Sequence, residues 1–398
     1  MTSGPAAIGN VSAPTISRPI DLLSAAAFCV AGCLRVTDPM LPQFAHDFRV
    51  STGEASVVVT AFAFAYGGCQ LLYGPIGDRV GKYRVICATM AASSVAIAAG
   101  AAARSLFQLA ALRLLAGATT AGVLALALAH VGDVVPYERR QAVLARVLSG
   151  QLLGVIFGQA AGGMLLGLMG WRAVFLLLGL VFAGVAALLW YELRSSRVVQ
   201  ARGAVPLDPV RLVRQYTSLL RASRPRAVLL AIFVEGLLFF GLLAYLAAFL
   251  RARFTLSYVA IGAILGCFGL GGLGYGMLAR RIVPALGEAR MLRTGGALLL
   301  AGLVLLPLMP VALATAPVMA MLGFGLYMVH NTLQTNATQM APEARGAAVS
   351  LFTAGFFLGQ AIGAALIGIA VDRVGYPAVF LTTGAGLWAL CWWFARRA

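Results

Sequence analysis

Apolar residues in this chain come in long unbroken runs separated by short polar breaks, not at the spaced positions of a helix with one wet face. An α-helix needs roughly 20 mostly apolar residues to cross the hydrocarbon core of a bilayer. Runs of that kind occupy residues 20–42, 54–75, 83–103, 106–130, 142–168, 171–192, 227–250, 257–280, 289–310, 313–337, 346–371 and 376–395. The pattern predicts an all-α membrane protein with twelve transmembrane helices, in one six-helix bundle at 20–192 and another at 227–395. Residues 1–19, rich in Pro, Ser, Gly and Ala, read as a disordered start and lack the cleavage site of a secretory signal. Residues 193–226 read as a basic linker, with an amphipathic piece near 209–221 lying against lipid headgroups.

Composition agrees with the pattern. Hydrophobic residues make up 61% of the 398 and charged residues 11%, too few to cover a water-facing surface, where about 25% is usual. The net charge of +17 does not point to nucleic acid, because no soluble segment remains to carry a basic groove. The cations instead gather in alternate connections: Arg79, Lys82 and Arg84; Arg139, Arg140 and Arg146; Arg280, Arg281, Arg290 and Arg293; and Arg396 and Arg397. By the positive-inside rule these connections and both termini are cytoplasmic, in a bacterial inner membrane. The six cysteines fall inside apolar runs without metal-ligand or disulfide spacing.

The two halves repeat in sequence. Gly154, Gly158, Gln159 and Gly162 match Gly355, Gly359, Gln360 and Gly363; Gly170 to Phe175 matches Gly375 to Phe380; Pro136 to Arg139 matches Pro342 to Arg345. Parallel duplication of six helices is one known way to build a transporter.

Between the second and third spans stands Gly74-Pro75-Ile76-Gly77-Asp78-Arg79-Val80-Gly81-Lys82-Tyr83-Arg84. It resembles the G-x-x-x-D-R-x-G-R-K signature of the major facilitator superfamily, with Gly74, Asp78, Arg79, Gly81 and Lys82 matching and Tyr83 in place of a second cation. Arg113 with Gly117 is similar to that family's R-x-x-x-G motif, associated with proton coupling. Helix 5 carries the glycines of the antiporter motif but has Gln159 where proline is common. Over nearly its whole length the chain is most similar to the twelve-helix bacterial drug/proton antiporters and metabolite exporters. The resemblance implies the major facilitator fold. It also implies a cytoplasmic latch in which Asp78, with Arg79 and Lys82, faces the start of helix 11 or a cation such as Arg139.

An ionisable group in the bilayer core costs about 2.5–3.5 kcal/mol on insertion scales, so each one needs a reason. Asp38, with Arg35 one turn before it, and Arg113 lie at similar depth on helices 1 and 4, which line the cavity in the resembled fold. A carboxylate beside a guanidinium stays charged until the cation is displaced, and can then exchange a proton. Glu235, with no cation on its own helix face, is the second candidate for proton coupling. Candidate cavity residues are the aromatics Phe62, Tyr66, Phe239 and Tyr245, the polar helix-10 residues His330, Asn331 and Gln334, and the matched glutamines Gln159 and Gln360. Packed or lipid-facing rings, satisfied histidines and small-residue packing faces account equally well for any one of these.

No P-loop, HExxH, CxxC or GxSxG motif supports an enzyme. The expectation is a monomeric secondary transporter without cofactor. It would exchange protons for a small organic compound, exporting it by alternating access. Proton-coupled import, uniport and a non-transporting receptor or scaffold stand as alternatives.

Overall fold

A chain surrounded by lipid satisfies its backbone N–H and C=O groups internally, and helices do this within one segment. The computed structural model describes residues 17–195, 209–341 and 345–397. Nine long apolar helical stretches occur among them. Three are interrupted by a glycine with left-handed backbone: Gly170 (φ 76°), Gly287 (φ 67°) and Gly375 (φ 77°). Only glycine adopts this conformation without a steric penalty. Each glycine reverses the chain with almost no loop, and the segments on either side are each long enough to cross.

The spans are α1 (Arg18–Phe48), α2 (Thr52–Val80), α3 (Lys82–Gly100), α4 (Leu106–Val134), α5 (139–169), α6 (171–195), α7 (Ser223–Phe254), α8 (258–286), α9 (288–308), α10 (Ala312–Gln339), α11 (346–374) and α12 (376–395). The amphipathic helix Pro209–Arg221 lies before α7, close to the predicted position, and buries Leu219 while Val213 and Leu220 stay exposed. Of the start expected to be disordered (1–19), residues 17–19 already belong to the first helix, while residues 1–16, and Arg197, Arg202 and Asp208 of the linker, fall outside the described residues.

The sequence repeat is also a packing repeat. In α5, Gly154, Gly158 and Gly162 press against the backbone carbonyls of Phe28, Gly32 and Val36 in α1. In α11, Gly359 and Gly363 press against those of Phe233 and Leu237 in α7. Gly158 to Gly359, Gly32 to Phe233 and Val36 to Leu237 all share one sequence offset. Small residues let such backbones approach closely.

Both gripped helices lose regularity on the same stretch of the repeat. In α1 the helix gives way to a tight turn at Asp38–Met40, where Pro39 supplies no N–H. In α7, Gly236–Phe240 forms a wide π-helical turn directly after Glu235, an irregularity often found at functional sites.

The halves meet along α2–α11 and α5–α8. At the distal end, opposite the termini, Ser51 Oγ donates to Asp372 Oδ2 at 2.7 Å, and Gly53 lies against Gly368. Midway, Gly67 meets Phe357 and Ala354, and Gly269 meets Ile156. Towards the termini, Gly74 and Gly346 have nothing within 4 Å of where a Cβ would stand. The contacts named here between the described residues of the two halves lie at the distal end and the centre.

Candidate functional site

At the irregular turn of α1, Arg35, Asp38 and, from α4, Arg113 are almost wholly buried, at 2%, 0% and 1% exposure. Arg35 Nη1 stands 3.5 Å from Asp38 Oδ2, an ion pair without hydrogen-bond geometry, and neither Asp38 oxygen has a hydrogen-bond partner. Arg113 is held more firmly. It donates to Cys33 O at 3.3 Å and to Thr37 Oγ1 at 3.2 Å, and its guanidinium lies 4.1 Å from the centre of the Phe62 ring. Only Arg35 comes within ion-pair distance of Asp38; the charge of Arg113 rests on a backbone oxygen, a hydroxyl and an aromatic face.

In the second half, Glu235 is fully buried, and its Oε2 lies 2.9 Å from His330 Nδ1 of α10. Glu235, with no cation on its own helix face, does therefore have a partner. The partner sits on another helix, where sequence spacing gives no sign of it. The other oxygen, Oε1, has no hydrogen-bond partner. The His330 ring packs against Phe240, Phe352 and Phe356, at 5.8, 6.3 and 5.4 Å between centroids.

The two clusters belong to one circuit. Phe62 stacks on Tyr66 at 6.0 Å, Tyr66 meets Phe357 at 4.3 Å, Phe357 meets Phe356 at 4.8 Å and Phe356 meets Phe240 at 4.6 Å. Arg35 closes the circuit, 4.9 Å from the centre of the Phe240 ring. The circuit crosses between the halves twice, at Tyr66–Phe357 and at Arg35–Phe240. Gln159 and Gln360, at 1% and 0% exposure, are buried with amide groups that make no hydrogen bond.

Other expected cavity residues lie elsewhere. Phe239 turns into the second half and stacks on Phe268 at 5.8 Å, leaving Phe240 at the centre. Tyr245 is buried towards the distal end and donates to Ala364 O at 2.6 Å. Asn331 is half-buried and Gln334 is exposed.

The terminal-end turn is also built differently from expectation. Lys82 Nζ bridges Asp78 Oδ1 at 2.9 Å and Asp133 Oδ2 at 2.7 Å. Gly81 turns the chain at φ 103°, and Gly74 stands in open space. Arg79 and Arg139 are exposed. Asp78 thus holds Lys82 one turn on, while Arg139 of the same half stays exposed; residues 342–344, at the expected start of helix 11, lie outside the described residues. Asp133, 51 residues from Lys82, was not among the residues the sequence singled out, since spacing gives no sign of the pairing.

A second omission is Asp372-Arg373-Val374-Gly375, which repeats Asp78-Arg79-Val80-Gly81 at the other end of the molecule. Both closing glycines have positive φ, and Asp372 receives the Ser51 hydroxyl. Ser51 and Glu54 also form a reciprocal helix cap, which fixes the serine in place.

Apolar helices in two matched halves, meeting at a buried charged centre, define a membrane transporter rather than an enzyme. The chain belongs to the Major Facilitator Superfamily, whose profile matches residues 23–353. It is 28% identical over 352 residues to the chloramphenicol resistance protein of Streptomyces lividans, covering 87% of each chain. It is 32% identical over 232 residues to multidrug resistance protein D of Escherichia coli (strain K12), covering 57% of this chain and 54% of that one. Among solved structures, a bacterial homolog of the human lysosomal transporter Spinster aligns with a TM-score of 0.74 at 17% identity, covering 97% of this chain and 95% of the other. The fold is shared with that protein. As a multi-pass transporter of this superfamily, the chain carries a small-molecule substrate.

Proposed function

We propose that the chain exports a small amphipathic organic compound in exchange for protons by alternating access. It would act as a monomer without cofactor, in a bacterial inner membrane with both termini in the cytoplasm. One observation carries the reading: Asp38, fully buried, is held only by a loose 3.5 Å pairing with Arg35, and Arg35 leans on Phe240 of the other half. A carboxylate in apolar surroundings stays charged beside a cation and binds a proton when the cation leaves. A rocking motion that pulls Phe240 from Arg35 alters the cation beside Asp38, so proton occupancy and conformation are linked. Glu235 with His330 supplies a second proton-exchanging pair in the other half. The names of the chloramphenicol and multidrug resistance relatives support export and an aromatic-lined amphipathic substrate, which suits Phe62, Tyr66, Phe240 and Phe357.

The test is chloramphenicol uptake into inside-out vesicles under an imposed proton gradient. Accumulation should follow the gradient, collapse with a protonophore and fall at least tenfold in Asp38→Asn, while substrate exchange without a gradient persists. Equal flux with and without the gradient would refute proton coupling. Accumulation only in right-side-out vesicles would replace export with import.

A further inference from the structure

A groove between α3 and α6 opens towards the lipid, away from the transport site. Its part nearest the terminal end has a volume of about 570 Å³ and is bordered by Arg84, Ala88, Trp190 and Arg194. It continues past Trp190 and Arg194 into a second part of about 440 Å³, walled by Cys87, Ala91, Ser94, Ala183 and Ala187. The groove is thus basic at its mouth and apolar along its length. From Arg84 to Ser94 it descends ten residues, ~15 Å at about 1.5 Å each, which is half of the roughly 30 Å hydrocarbon core.

We propose that this groove binds one phospholipid with an anionic headgroup, its phosphate between Arg84 and Arg194 and one acyl chain laid along the alanines. Charge complementarity carries the choice of occupant. Among the described residues, the acids at this end of the first bundle are already engaged: Glu192 pairs with Arg18 at 3.6 Å, Asp21 with Arg146 at 2.7 Å, and Asp78 and Asp133 hold Lys82. Arg84 and Arg194 are exposed at the mouth. The Arg194 guanidinium is braced 5.5 Å from the Trp190 ring centre, and tryptophan favours headgroup depth. A guanidinium offers paired donors that match phosphate oxygens. The small wall residues leave space where larger side chains would fill the groove, and the depth matches one leaflet.

The test is native mass spectrometry of the full-length protein in detergent, titrated with phosphatidylglycerol or with phosphatidylcholine of the same acyl chains. One phosphatidylglycerol should be retained in preference to phosphatidylcholine. Arg84→Gln with Arg194→Gln should weaken it about thirtyfold, roughly fivefold per arginine near an anionic surface. Ala91→Leu with Ala187→Leu should weaken both lipids alike by obstructing the chain. Equal retention of the two lipids by the wild-type protein would overturn the proposal, and so would glutamine variants that bind phosphatidylglycerol undiminished. Displacement by millimolar inorganic phosphate would make this a free-anion site and would equally overturn it. The wild-type comparison needs no variant to fold, and none of these outcomes depends on export or proton coupling.

Discussion

Arg35 and Phe240 stand on helices of different halves, yet the guanidinium of one lies 4.9 Å from the ring centre of the other. Such a contact contributes about 0.5–2 kcal/mol, more when desolvated. Phe240→Leu keeps most of the apolar volume and removes the ring face. Flux per folded molecule in proteoliposomes should change by about 2- to 30-fold, the same energy expressed as a ratio of states. Phe239→Leu, which touches Phe268 instead, should leave flux per folded molecule close to wild type. Equal effects at the two positions would remove Arg35–Phe240 from the mechanism.

Glu235 and His330 should be energetically coupled. A buried hydrogen bond to a charged partner contributes about 1.5–3 kcal/mol. A double-mutant cycle of Glu235→Gln and His330→Asn, read by denaturation in detergent, should return an interaction of about that size. Additive losses would mean that the 2.9 Å contact carries no stabilisation.

The distal closure depends in part on Ser51 donating to Asp372. This hydrogen bond is near the surface, so about 1 kcal/mol is expected, equal to about a fivefold shift between closed and open. In a cysteine-free background carrying Ala55→Cys, which is buried at 0% exposure, Asp372→Asn should speed thiol labelling by about that factor. A rate unchanged by both Asp372→Asn and Ser51→Ala would show that glycine packing alone seals this end.

The glycine ladder of α5 should tolerate no side chain. At Gly158 a Cβ would stand 2.6 Å from the Gly32 carbonyl oxygen, whereas Gly184 of α6 has nothing within 4 Å. Gly158→Val should lower stability by about 1–3 kcal/mol or more, the usual cost of overpacking, and Gly184→Val should be close to neutral. Thermal unfolding monitored by size-exclusion chromatography separates the two.

Much of the architecture was readable from the chain because bilayer crossing leaves a strong mark on sequence. The apolar runs, the matched glycines of α5 and α11 and the amphipathic helix at Pro209–Arg221 are all local patterns. Arg35, Asp38 and Arg113 were readable as well, since a charge in an apolar run stands out. Contacts across large sequence separations were not. Nothing near Glu235 announces His330, which is 95 residues away. Which of the adjacent rings Phe239 and Phe240 meets Arg35 was not readable either, because the π-helical turn at Gly236–Phe240 changes the face each residue presents. Tyr245 looked like a cavity aromatic but has its hydroxyl committed to the Ala364 carbonyl. The Lys82 bridge needed the relative position of α2, α3 and α4, which composition does not encode.

The left-handed glycines Gly170, Gly287 and Gly375 also bear on how the protein is made. A reversal of almost no length leaves no soluble loop between α5 and α6, α8 and α9, or α11 and α12. Each of these pairs therefore enters the bilayer as a ready-made hairpin, its two helices neighbours from the moment they leave the translocation machinery. Lateral diffusion has only to bring the hairpins and the remaining helices together, so the order of assembly is partly written into three glycines.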